Sequence, residues 1–137
     1  MPSIAVDTGP LVALFDVRDR VHAAAREFIQ DATEELVTNL PVITEVCLLL
    51  DFSAAAQTSF LGWVEQALTI DNQTLADLPR INQIIAKYAD RPAAFADASL
   101  LAMCERRGIP SVATMDKDFD VYRTNDRKRL RNVFVTG

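Results

Sequence analysis

Little in this chain of 137 residues invites covalent or soft-metal chemistry, for it has two cysteines and one histidine. Cys47 and Cys104 are far apart and lie in apolar, helix-patterned stretches, which excludes a zinc ribbon or disulfide framework and predicts buried, reduced thiols. The single histidine, His22, follows a polar loop at a helix start and reads as an ordinary surface residue rather than a general base. No apolar run approaches the roughly 20 residues of a membrane span, and the amino terminus lacks the basic-then-apolar layout of a secretory signal. A cytoplasmic protein without membrane contact is expected. Basic excess is missing too: 14 Lys and Arg face 19 Asp and Glu, a net charge of −5. That balance argues against a protein that coats nucleic acid, while leaving room for a local basic patch.

What the chain does have is an anomaly inside its most apolar segments. Asp7 interrupts IAVDTGPLVALF, Glu45 interrupts PVITEVCLLL and Asp97 interrupts PAAFADASLLAM. A lone ionised carboxylate in a core costs several kcal/mol unless it is paired or bound to a cation. Helical spacing puts Asp97 on one face with Leu100, Leu101 and Cys104, with Ser99 and Arg106 pointing the other way. It puts Glu45 on a face with Val42, Leu48, Leu49 and Phe52, so both acids are expected to look inward. An acid near a helix start also suits the helix dipole, and Asp97 follows Pro92 closely enough to do so. Three acids placed this way in one chain call for a shared compensation.

The pattern of elements locates them. Ile4–Val6 reads as a strand, and Gly9-Pro10 as a turn opening a helix over Leu11–Phe15, which sets Asp7 at a strand's carboxyl end. Further helices are expected over about His22–Gln30, from Pro41 through Glu45, from the cap Ser53 to about Ala67, over Leu75–Tyr88, and around Asp97. The last is stopped by Arg106, Arg107, Gly108 and Pro110. Strands are expected at Glu35–Thr38, Leu68–Ile70, Ser111–Ala113 and Val133–Val135. The alternation indicates one α/β domain over residues 1–137, with a largely parallel sheet whose ligands sit beyond the carboxyl ends of its strands.

Asp116 falls at such an end, in Thr114-Met115-Asp116-Lys117-Asp118-Phe119. Alone, Asp116 and Asp118 read as a helix cap and a solvated loop charge; with the other acids they complete an oxygen-only donor set suited to Mg²⁺ or Mn²⁺. Without a cation, such neighbours repel and raise one another's pKa. One or two divalent ions held there activate water and orient a phosphodiester, so phosphodiester hydrolysis is the natural reaction.

The segments DTGPLVALFD (7–16), TEV (44–46), FADASL (95–100) and TMDKDF (114–119) together resemble a PIN-domain nuclease, and most nearly the VapC-type toxins of toxin–antitoxin modules. The likeness runs over essentially the whole chain with its motifs in the right order. It implies a PIN-type α/β/α sandwich and RNA cleavage with Mg²⁺ or Mn²⁺ held by Asp7, Glu45, Asp97 and Asp116. It adds Thr114 as a hydroxyl beside the site and Asp118 as an auxiliary acid. It also implies a homodimer and a cognate antitoxin whose tail blocks the groove. A helical hairpin around Leu48–Trp63, with Phe52, Phe60 and Trp63 as anchors or else as core, is the candidate surface for such partners.

Grip on RNA phosphates requires cations, and Arg123, Arg127, Lys128, Arg129 and Arg131 stand against the single acid Asp126 in one stretch. Two rivals remain open on sequence grounds: a structure-specific DNA nuclease, and a non-catalytic PIN-like module that binds RNA or protein around a structural ion.

Overall fold

The computed structural model describes residues 2–91 and 94–136; Pro92, expected just before the Asp97 helix, lies outside them. Among the described residues, β1 (Ser3–Val6), β2 (Glu35–Asn39), β3 (Thr69–Asp71), β4 (Ser111–Ala113) and β5 (Arg131–Asn132) form one sheet in the order β3-β2-β1-β4-β5, parallel throughout. Around it stand α1 (Thr8–Phe15), α2 (His22–Asp31), α3 (Leu40–Leu49), α4 (Ala54–Ala67), α5 (Thr74–Lys87) and α6 (Phe95–Arg107), with a 3-10 turn at Lys117–Asp120. No described helix is long and apolar enough to cross a membrane.

The strand order follows from burial. Ile4, Ala5 and Val6 are a continuous apolar run at most 5% exposed, the mark of a central parallel strand covered on both faces. The chain steps outward from β1 to β2 and β3, then returns to the other side of β1 for β4 and β5. That reversal leaves a crevice between the carboxyl ends of β1 and β4, the kind of switch point where open α/β sheets bind ligands. The Asp7 amide donates to the Ala113 carbonyl at 2.9 Å, carrying the β1–β4 ladder to the mouth of the crevice.

Ser53 caps α4 as expected, by accepting from the Ala56 amide; α3 is capped by Asn39, which the sequence reading did not single out and which accepts from the Val42 amide. Gly108, at φ 69°, closes α6 in the left-handed conformation while the Ile109 amide donates to the Cys104 carbonyl. Gly9 is not in a turn but inside the first turn of α1, where an added Cβ would sit 3.1 Å from the Cβ of Met115. Its missing side chain lets the loop after β4 close over α1.

Other expectations need correction. The last strand is Arg131–Asn132, not Val133–Val135: the Val133 amide still donates to Val112, but the Asn132 side chain then accepts from the Phe134 amide and draws the chain off the ladder. The third strand is shifted by one residue, to Thr69–Asp71. Ser99 does not point outward, because α6 is buried on every side from Ala96 to Cys104; its hydroxyl donates to the Ala96 carbonyl and accepts from Asn39. The Glu45 stripe is not one inward face: Val42 is wholly buried, whereas Leu48, Leu49 and Phe52 are 65%, 52% and 51% exposed, since α3 meets the core through Val42, Ile43 and Val46. Phe60 is wholly buried and Trp63 packs on the same Phe15 ring, which leaves Phe52 as the one exposed aromatic of the three proposed anchors. Both cysteines are free; Cys104 is buried and Cys47 half-buried. The His22 Nδ1 is 2.7 Å from the Ala13 carbonyl, a link between α1 and α2.

Candidate active site

Each acid reaches the crevice by a local rule. Asp7 stands at the N-cap position of α1 yet makes no side-chain capping bond, so its carboxylate is left to the crevice. Asp97 enters from the first turn of α6, which starts at this rim and runs back along the sheet. Asp116 follows β4 and accepts from the Asp118 amide, capping the 3-10 turn as its sequence position suggested. Glu45 comes from α3 and is only half-buried.

Burial and mutual repulsion then set the electrostatics. Asp7, 3% exposed, is pushed up from 3.8 to about 6, first by burial; hydrogen bonds from Thr114 and the Thr8 amide oppose the rise, and the charges of Asp116 and Glu45 reinforce it. Asp97 is pushed further, to about 9, by burial, by a hydrogen bond shared with Asp116, and by the charges of Asp7, Asp116 and Glu45. Asp97 thus lies within electrostatic reach of the other three acids. In its protonated form the Asp97 carboxyl donates to the Asp116 carboxylate.

Thr114 holds the site from below: its hydroxyl donates to Asp7 Oδ2 at 2.6 Å and accepts from the Asp116 amide at 2.9 Å. Asn132, which sequence reading passed over, in turn clamps Thr114, accepting from its amide at 3.2 Å and donating to its carbonyl at 3.1 Å. The only signal was a polar residue beside an apolar strand. Asp118 is half-exposed and pairs with Arg91 at 3.3 Å.

The expected RNA-contact stretch does not gather here. The Asn125 amide donates to Glu105 near the end of α6, Lys128 and Arg129 line a cavity with Gly108 and Pro110, and Arg131 pairs with Ser111 at the start of β4. These positions mark the amino end of the sheet. The ten helical steps from Asp97 to Arg107 alone span roughly 15 Å. The Arg123 guanidinium is turned onto the carbonyls of Asp120, Val121 and Tyr122. Two exposed cations outside that stretch, Arg20 and Lys117, line a cavity together with Asp116. Neither stood out in sequence, because each is a single charge in a mixed loop.

The donor set fits a hard cation. No ion pair reaches Asp7, Glu45, Asp97 or Asp116 among the described residues. Among the described residues, the buried side-chain polar atoms without a hydrogen-bond partner are Asp7 Oδ1, Thr8 Oγ1 and the Tyr122 hydroxyl, and the last lies in the field of Asp97, Asp118 and Asp116. No three His, Cys, Asp or Glu side chains among the described residues are already spaced to hold an ion together.

Comparison with known proteins bears on the same region. Residues 4–125 match the family described as PIN domain. Ribonuclease VapC26 of Mycobacterium tuberculosis is 27% identical over 118 residues, which cover 82% of this chain and 85% of that protein. The crystal structure of M. tuberculosis VapC20, a Sarcin-Ricin loop cleaving toxin, superposes with a TM-score of 0.79 at 21% identity, over 86% of this chain and 93% of that one. FitAcB from Neisseria gonorrhoeae superposes with a TM-score of 0.53 at 18% identity, over 82% and 87%. At these identities the solved structures establish the fold, an α/β/α sandwich about a parallel sheet.

Proposed function

Because the chain belongs to the PIN-domain family, we propose that it is an endoribonuclease of the VapC type, the toxin of a toxin–antitoxin pair, acting as one PIN domain over residues 1–137. The observation that carries this reading is the coincidence at one rim of four acids without a cationic partner and the three unpartnered buried polar atoms. The names of VapC26 and VapC20 support RNA as the substrate.

Asp7, Asp97 and Asp116 would hold Mg²⁺, or Mn²⁺ in its place, with Glu45 at the wet edge. When bound, the ion lowers the pKa of the attacking water and offsets charge on the phosphodiester. Half-buried Glu45 orients that water. Thr114 fixes the Asp7 carboxylate, so that the hydroxyl bond need not form anew at each turnover. Arg20 and Lys117 grip the phosphates beside the cut, while Arg127, Lys128 and Arg129 reach RNA farther along its backbone. Asp118 tunes the rim through Arg91.

The cognate antitoxin belongs to the same reading. Its surface is the apolar groove between α3, α5 and the start of α6, where Leu40, Leu48, Leu75 and Phe95 are 57%, 65%, 80% and 46% exposed and Glu45 forms part of the wall. A segment lying there covers the acids. A cytoplasmic homodimer completes the proposal. The test is cleavage of a structured-RNA pool and of single-stranded and flap DNA by the antitoxin-free protein, with Mg²⁺, Mn²⁺ or EDTA. RNA cutting that needs the ion and is lost in Asp97→Asn supports the reading; DNA cutting alone, or RNA cutting undiminished in EDTA, sinks it.

A further inference from the structure

Tyr122 is among the largest fully buried side chains, at 1% exposure, and yet its hydroxyl has no hydrogen-bond partner. The ring is not free to move the oxygen elsewhere. It packs edge-on against Tyr88 and Phe119, with centroids 5.0 and 5.2 Å away, and its own amide donates to the Asp118 carbonyl at 3.0 Å. Neighbouring Tyr88 shows the ordinary arrangement, since its hydroxyl accepts from the Arg123 amide. A phenylalanine at position 122 would fill the same space and avoid the cost of burying an unsatisfied O–H. On packing grounds alone the hydroxyl is a liability.

The hydroxyl is buried and unpartnered beside the turn that carries Asp116 and Asp118, and the acids whose charges bear on it are Asp97, Asp118 and Asp116, none of them hydrogen-bonded to it in the cation-free protein. Carboxylates offer acceptors only, so the partner missing from this O–H is one that any of these acids supplies once it turns toward the ring. We infer that Tyr122 is a positioning residue of the acid site, whose hydroxyl donates a hydrogen bond to the Asp97 carboxylate in the cation-bound state and so fixes the orientation in which that carboxylate meets the ion. This inference rests on the divalent-cation reading of the site. It assigns the hydroxyl a cost in the cation-free protein and a return in the loaded one. Outer partners of this kind typically change metal affinity by 10- to 100-fold.

The experiment is Mn²⁺ titration by calorimetry, together with thermal melting of the metal-free protein, on the wild type, Tyr122→Phe and Tyr88→Phe. Tyr122→Phe is expected to bind Mn²⁺ about tenfold more weakly while melting at the same temperature or higher. Tyr88→Phe loses a satisfied hydrogen bond in the same aromatic cluster and is expected to do the opposite, melting lower with its Mn²⁺ affinity unchanged. Equal affinity in wild type and Tyr122→Phe overturns the inference, as does a Tyr122→Phe protein that melts lower in step with its loss of affinity. A wild type that binds no Mn²⁺ overturns the cation reading itself, and the role of Tyr122 with it.

Discussion

Buried acids meet the two ends of helix α6 in different settings. At its carboxyl-terminal end, Arg106 reaches Asp71 at 2.7 Å and Asp77 at 2.9 Å, and Arg107 reaches the second oxygen of Asp71 at 2.6 Å. Arg80 meets Glu105 through two nitrogens at 2.7 and 2.8 Å. At the amino-terminal end, Asp97 lies with Asp7, Asp116 and Glu45 and no arginine among them. Asp71 and Asp97 are 1% and 7% exposed, so burial pushes both pKa values up. In Asp71 the two guanidinium groups overcome it and hold the pKa at about 2; in Asp97 neighbouring acids add to it and the pKa goes to about 9. Burial of an acid is therefore not what marks a site. The absence of a protein cation beside it is, because that leaves the compensation to something the chain does not supply.

The most severe way to break the comparison is Asp97→Asn. RNA cleavage is expected to fall by at least about a thousandfold, equivalent to about 4 kcal/mol of barrier, while the metal-free protein at pH 8 melts no lower than the wild type. At the other end of the helix, Arg106→Ala leaves Asp71 and Asp77 short of a partner and is expected to cost about 3–5 kcal/mol in urea unfolding, with Mn²⁺ binding intact. An Arg106→Ala protein as stable as the wild type would show that the arginines merely decorate this seam.

Changing pH sharpens the contrast at lower cost to the fold. Asp7 and Asp97 have folded pKa values above their ordinary 3.8, so their stabilising effect is full below 3.8 and is lost as pH rises, through about 6 for Asp7 and about 9 for Asp97. The metal-free melting temperature is expected to fall by several degrees between pH 5 and pH 9. Asp71 works in the opposite sense, contributing above 3.8 and giving way only as pH falls through about 2. Mn²⁺ at a hundred times its dissociation constant should restore about 2.7 kcal/mol. At a fixed concentration it should restore more at pH 8 than at pH 5, where protons hold its ligands. The smallest effect separates the two sets of cations: Arg20→Ala with Lys117→Ala should lower RNA affinity, cleavage and the salt slope, by about one unit of slope per lost contact. Neutralising Arg127, Lys128 and Arg129 should lower affinity and slope but leave cleavage at saturating RNA unchanged. An identical response from both sets would remove the distinction.

Much of this was legible in the chain. Asp7, Asp97 and Asp116 betray themselves because each breaks or ends an apolar run, and β1 and β4 are short enough to set two of them at strand ends. The cap at Ser53 and the stop at Gly108 follow residue chemistry that acts over three or four positions. What failed depended on neighbours remote in sequence. The apolar stripe through Glu45 is split, with Val42 in the core and Leu48, Leu49 and Phe52 exposed, and periodicity cannot tell a face that meets the core from one left to solvent. The basic stretch was real, yet nothing local reveals that the loop returns it to the amino end of the sheet. Asn132 and Tyr122 carry no motif; only the bonds of one and the missing bond of the other disclose them.

The central claim is that a divalent ion takes the place that arginine takes at the other end of α6. The most direct measurement is Mn²⁺ binding by calorimetry at pH 7, in two buffers of different ionisation enthalpy, for the wild type and Asp97→Asn. Binding that releases about one proton per ion, as it displaces the proton held on Asp97, and that is lost or strongly weakened in the variant, is the expected result. Failure to bind, or binding without proton release and equally tight in Asp97→Asn, would contradict it.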